Sequence, residues 1–156
     1  MARTSKKMKR GFTETLDKHS IENNRIVSII RLEELFIFLN KNGLTISYTK
    51  LDQNKEGKTP EDADLCTERL LEASKANPFF NLGGGNYVRC STIEAIENIN
   101  GKDYKGIIIR GEGDAILSFL PVPLAEKRNL AVSKLHAAME SFEAGKFVEP
   151  ELADIL

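Results

Sequence analysis

The sequence predicts an α+β fold made of two β-rich halves, each running strand, strand, strand, helix. Three observations carry that expectation. Short β-branched and aromatic runs alternate with Asn- and Gly-containing turns. One helix start, at Thr59-Pro60-Glu61-Asp62, combines a hydroxyl N-cap, a proline in the first turn and two acids at the positive end of the helix dipole. After Pro78 a similar succession of strand segments and an amphipathic helix returns.

Taken in order, residues 1–24 read as a basic, flexible arm, because five Lys or Arg fall in the first ten positions and Phe12 to Asn24 offers few apolar anchors. The first half, residues 25–78, opens with the β-branched run Ile26–Ile30. Leu35–Leu39 and Leu44–Thr49 then flank Asn42-Gly43 as a hairpin. The competing reading is one apolar helix across residues 21–41 with Gly43 just past its end. Strands are preferred for their β-branched content. The Thr59 helix should bury Ala63, Cys66, Leu70 and Ala73, and Asn77-Pro78 should stop it.

The second half, residues 79–145, places Phe79 to Leu82 before Gly83-Gly84-Gly85, then strand material at Asn86–Cys90 and Ile93–Ile96 and a turn at Asn100-Gly101. Gly106–Arg110 and Ala115–Leu120 form a hairpin around Gly111-Glu112-Gly113-Asp114, and Pro121 and Pro123 end the sheet. A helix with Leu124, Ala131, Leu135, Ala138 and Phe142 on its buried face follows, stopped by Gly145. Residues 146–156 are left as a C-terminal tail. Overlaying the halves suggests a degenerate tandem repeat packed as an internal pseudo-dimer.

Several functional classes lose support at once. The apolar runs fall short of the roughly 20 residues of a membrane span, and no apolar core of a secretion signal follows the basic start, so a cytoplasmic protein without a membrane partner is expected. Cys66 and Cys90 read as small buried hydrophobes. His19 and His136 lack neighbours at ligand spacing, so no metal or other cofactor is expected. His136 reads as a partly buried structural residue. Gly83-Gly84-Gly85 precedes a strand where a phosphate loop would open a helix, so a turn or bulge is preferred. Glu112 and Asp114 are ordinary turn residues, and no nucleophile sits beside a base. An enzyme is not expected.

A binding surface remains. Net charge is −1, yet residues 11–156 hold 17 basic and 23 acidic side chains, so a basic arm joins an acidic body. Arg3, Lys6, Lys7, Lys9 and Arg10 in the arm, with Tyr87, Arg89, Lys102, Lys105 and Arg110 on the second-half strands, are the candidate nucleic-acid contacts. Tyr104 adds an aromatic ring between two of those lysines.

One resemblance can be placed on named residues. Phe80-Asn81-Leu82-Gly83-Gly84-Gly85-Asn86-Tyr87-Val88 with Ile93 and Ile96, then Lys105–Ile109 and Asp114–Ser118, is similar to the small bacterial RemA-like regulators. The resemblance implies a DNA-binding, ring-forming protein of the LytTR-like class, with Lys102 and Lys105 nearest to that family's basic contacts. It leaves the first half without a counterpart. The expected function is therefore nucleic-acid binding, to DNA rather than RNA, in transcriptional regulation or as a mobile-element accessory, with homo-oligomer formation. The alternative is a non-catalytic protein-interaction or assembly module, such as an inhibitor or structural adaptor.

Overall fold

A computed structural model describes residues 11–52 and 58–155 and shows an α+β protein. Strands β1 (Phe12–Glu14) and β2 (Ser20–Glu22) form a hairpin, followed by a 3₁₀ turn at Asn23–Arg25. A three-stranded meander comes next, β3 (Ser28–Arg31), β4 (Leu35–Leu39) and β5 (Thr45–Lys50), and then helix α1 (Pro60–Ala73). A second hairpin, β6 (Phe79–Gly83) and β7 (Asn86–Arg89), leads through a 3₁₀ turn at Cys90–Thr92 to a second meander. Its strands are β8 (Ala95–Asn100), β9 (Lys105–Arg110) and β10 (Ile116–Pro121), and helix α2 (Ala125–Glu143) follows. Hairpin, 3₁₀ turn, meander and helix thus occur twice in the same order.

Local chemistry accounts for the sharpest boundaries. In the β4–β5 turn the Asn40 side-chain oxygen accepts from the Asn42 and Leu44 amides, and Gly43 takes φ +76°. A Cβ at Gly43 would meet the Ile116 carbonyl oxygen at 2.8 Å, so the turn can rest on β10 only as glycine. The Thr59 hydroxyl accepts from the Asp62 amide while the Asp62 carboxylate accepts from the Thr59 amide, a complete capping box at the start of α1. The Thr59 amide and the Thr59 hydroxyl both donate to the Asp62 carboxylate and hold it below its ordinary pKa.

The strands sort into sheets by long-range pairing. The larger sheet has the order β5-β4-β3-β7-β6, so the second hairpin extends the first meander through antiparallel pairs Ser28 to Val88 and Ile29 to Tyr87. The expected division at residues 78 and 79 therefore falls beside a hairpin whose two strands belong to the first meander's sheet. One face of this sheet, with Ile29, Phe36, Phe38 and Phe79, packs on Ala63, Cys66 and Leu70 of α1 and on Ile21 of the first hairpin. The opposite face contributes Phe80, Leu82 and Val88 to a larger core with Ile107, Ile109, Leu117 and Leu120 of the sheet β10-β9-β8 and Ala131, Leu135 and Ala138 of α2. Covered on both sides, β3 buries Ser28, Ile29 and Ile30, and β7 buries Val88 and Arg89. Both cysteines are free and buried, and burial pushes their thiols up, Cys66 to about 11 and Cys90 to about 12.

Arg89 closes the junction. Only 1% exposed, its guanidinium donates to the carbonyls of Ile26 (2.8 and 3.0 Å), Asn23 (2.8 Å) and Asn77, and lies 4.1 Å from the centroid of the Phe79 ring. These carbonyls belong to the first 3₁₀ turn and to the segment after α1, so one side chain on β7 fastens two stretches of the first half. Burial lowers its pKa from 12.5 to about 10, which leaves it charged at neutral pH. Arg128 plays a local counterpart on α2, donating to Asn98 Oδ1 and to the carbonyls of Val122 and Pro123.

Three expectations are corrected, and the placement of the C-terminal segment, open in the sequence, is settled for residues 146–155. Residues 11–24, read as part of the arm, carry a hairpin: Ile21 is buried, the Thr13 hydroxyl donates to Asn23 Oδ1, and Asp17 accepts from the Ser47 hydroxyl and the Tyr48 amide. Asp17 thereby occupies part of the outer edge of β5. Residues 146–155 dock onto the body. Phe147 stacks on Phe80, Glu149 accepts from the Asn81 amide, and Leu152 and Ile155 are buried. Leu124 and Ala73 are exposed because each sits where its helix begins or ends, with Ser74 buried in place of Ala73. His136 is likewise exposed, one residue past the buried Leu135.

Replacing Arg89 by Met removes the guanidinium donors to the Ile26 and Asn77 carbonyls and leaves the Asn23 carbonyl only the Ile26 amide, and the expected loss is roughly 3 to 5 kcal/mol of stability, read as a lower urea midpoint. Arg89→Lys, a single ammonium unable to span all three acceptors, should fall between Met and Arg.

Candidate interaction surface

The structure divides the ten sequence-predicted contacts. Arg3, Lys6, Lys7, Lys9 and Arg10 lie outside the described residues. Arg89 is internal and offers nothing to a ligand, which corrects its assignment. Arg110 reaches the surface, but its Nε donates to Glu97 Oε1 at 2.9 Å and its Nη1 to the Asp114 carbonyl, so its charge is met within the sheet. Tyr87 is half-buried, and burial together with Glu149, Asp64 and Glu68 raises its phenol pKa, an acidic setting that repels phosphate. Lys102 and Lys105 are exposed beside the β8–β9 turn. Arg31, which was not a candidate, forms a 2.7 Å ion pair with Asp64 of α1.

Gly83, Gly84 and Gly85 form the β6–β7 turn with φ of +92°, +63° and +85°, and the ladder shifts register between Asn81 and Gly83. The glycines border a cavity of about 520 Å³ whose other walls include Tyr87, Glu149, Glu151 and Asp154. Those carboxylates and the lack of a helix N-terminus at the turn agree with a turn and bulge and count against a phosphate loop. Glu112 and Asp114 are exposed on the β9–β10 connection. Among the described residues no group of three His, Cys, Asp or Glu could hold a metal ion, and no helix is long and apolar enough to cross a membrane.

The outer face of β8–β9–β10 is less polar than an uncovered sheet face usually is. The inner side chains Ile96, Ile107, Ile109, Leu117 and Leu120 pack in the core with α2. Registers of Glu97 with Ile108 and of Ile108 with Phe119 set these three side by side across the sheet. Flanking rows place Arg110 between Ala95 and Ile116, and Gly106 between Ile99 and Pro121. Phe119 is 40% and Ile116 44% exposed, Ile99 and Ile108 are partly exposed, and the exposed Leu44 follows the glycine turn that rests on Ile116. A bulge between Ile116 and Ser118 turns Leu117 inward while leaving Phe119 outward.

Tyr104 seals the end of this face. Its hydroxyl donates to the Ile107 carbonyl, and a Cβ at Gly106 would come within 2.5 Å of the phenol oxygen and 2.2 Å of the Leu120 carbonyl oxygen. Sequence reasoning missed the face because the uninterrupted Ile107-Ile108-Ile109 hides which isoleucine points outward. Only the partner strands settle it.

Gly106→Ala should cost about 1 to 3 kcal/mol, since the contact with the Leu120 backbone cannot be relieved by a side-chain rotation, and thermal unfolding would read it as a lower midpoint. Comparison with known proteins adds no relative: no family model, no curated protein and no solved structure matches the chain.

Proposed function

We infer that the protein is a non-catalytic interaction module whose contact surface is the outer face of β8–β9–β10. The observation that supports this reading is the apolar row of Ile108 and Phe119, bordered by Ile99, Ile116 and Pro121, on a sheet side where Phe119 and Ile116 stay exposed although the Gly43 turn rests on Ile116 and Ile30, Arg31 and Leu32 line a pocket with Phe119. An antiparallel sheet with one wet face ordinarily alternates apolar inward and polar outward. Adjacent apolar side chains in register form a patch, which marks a contact surface far more often than isolated exposed residues do. The ion pair of Arg110 with Glu97 and the nearby Lys102 and Lys105 supply a polar border of the kind that surrounds protein contacts.

Nucleic-acid binding is kept as the second reading on one specific observation: Lys102 and Lys105 are exposed on either side of Tyr104, the remaining accessible basic pair among the body candidates. In that reading the arm supplies phosphate affinity, DNA is the preferred ligand, and the body contributes little because its other candidate cations are engaged.

A photo-crosslinking amino acid at position 119 of the full chain, with position 65 on the exposed side of α1 as control, separates the two. The interaction reading expects a discrete crosslinked protein from position 119 and none from position 65, with loss of that product on Ile108→Asp. A salt-dependent DNA complex that disappears when residues 1–10 are deleted, with no protein crosslink at 119, would establish the second reading instead.

A further inference from the structure

We propose that the free edge of β8 is completed by an extended, basic segment of a partner protein, which lays one apolar side chain into the groove between β8 and α2. This rests on the interaction reading and names the partner's chemistry. β8 has a single neighbour, β9, so one side of its backbone is unpaired by any described strand. Both edges of the larger sheet are partly occupied: Asp17 accepts from the Tyr48 amide on β5, and Glu149 accepts from the Asn81 amide on β6. An open edge is a template for strand addition.

The fold contains its own precedent. β8 opens the second meander as β3 opens the first, and the corresponding side of β3 is filled by β7 in antiparallel register. Beside the open edge lies a groove of about 200 Å³. Ile93, Ile96 and Met139 give it an apolar floor, and Glu94, Glu140 and Glu143 border it. His136 also reaches it, and no Lys or Arg lines it.

That charge selects the occupant. Pairing β8 with β8 of a second copy about a twofold axis would bring two acidic borders to one junction, and a register centred on Glu97 would set that carboxylate against itself, an unfavourable cross-strand pair. A lysine-rich strand neutralises the border instead, while an apolar side chain at alternate positions enters the groove.

The test uses the full chain and a short synthetic peptide of alternating Lys and Val, with a Glu/Val analogue and a Lys/Val peptide N-methylated along its backbone, which lacks amide donors, as controls. Binding is read by fluorescence anisotropy at low salt, and amide hydrogen exchange locates it. The expected result is binding of the unmodified Lys/Val peptide alone, slowed exchange across residues 95–100, and affinity weakened about tenfold or more by the double charge reversal Glu140→Lys/Glu143→Lys. Absent binding, or binding that leaves β8 exchange unchanged, overturns the proposal. Concentration-dependent protection of β8 without peptide also overturns it, by making a second copy the occupant. Because position 119 reports the sheet face separately, a protein crosslink there with no protection of β8 would sink strand addition and leave the interaction reading standing.

Discussion

A guanidinium held away from water without a carboxylate partner is the constraint around which this fold is arranged. Arg89 tolerates burial because three backbone carbonyls, from Asn23, Ile26 and Asn77, surround it and Phe79 lies against it. A charge in that setting is sustained only while its acceptors stay in place. The geometry therefore binds the first 3₁₀ turn and the exit of α1 to β7, at the site where the two runs of hairpin, meander and helix meet. Loss of any of these segments from the junction would leave the cation poorly solvated.

The same economy shapes the surface. Arginines that a charge-based reading would aim at phosphates are used internally: Arg89 at the junction, Arg128 under α2, Arg110 against Glu97 and Arg31 against Asp64. The body is acidic over residues 11–156, and its accessible contact features are apolar side chains and an open strand edge. Protein association draws on those features more readily than nucleic-acid association does, because the latter depends on unpaired cations near phosphates.

Much of the local structure was legible in the chain. The Thr59-Pro60 start, the Asn42-Gly43 turn and the Gly111–Asp114 connection each satisfy a short-range backbone requirement that their own residues reveal. What escaped sequence reasoning depends on distant partners. The β1–β2 hairpin is largely polar and is anchored by Ile21 and by hydrogen bonds of Thr13 and Asp17 to residues far along the chain. Membership of β7 in the first meander's sheet follows from pairing with β3 about 60 residues earlier, and so does the burial of Arg89. The candidate surface was half legible: its strands were evident, but the outward side of Ile108 and Phe119 was fixed by cross-strand register and by one bulge.

Native-state hydrogen exchange tests most directly whether the β3–β7 pairing and the Arg89 junction make the two runs one folding unit. The account predicts that amides of β3, β7 and β9 exchange through the same global opening, with equal free energies and equal denaturant dependence, in a single unfolding transition. Separate openings, with β8–β10 and α2 remaining protected while β3–β5 exchange, would contradict it and show that the halves are independent bodies in contact.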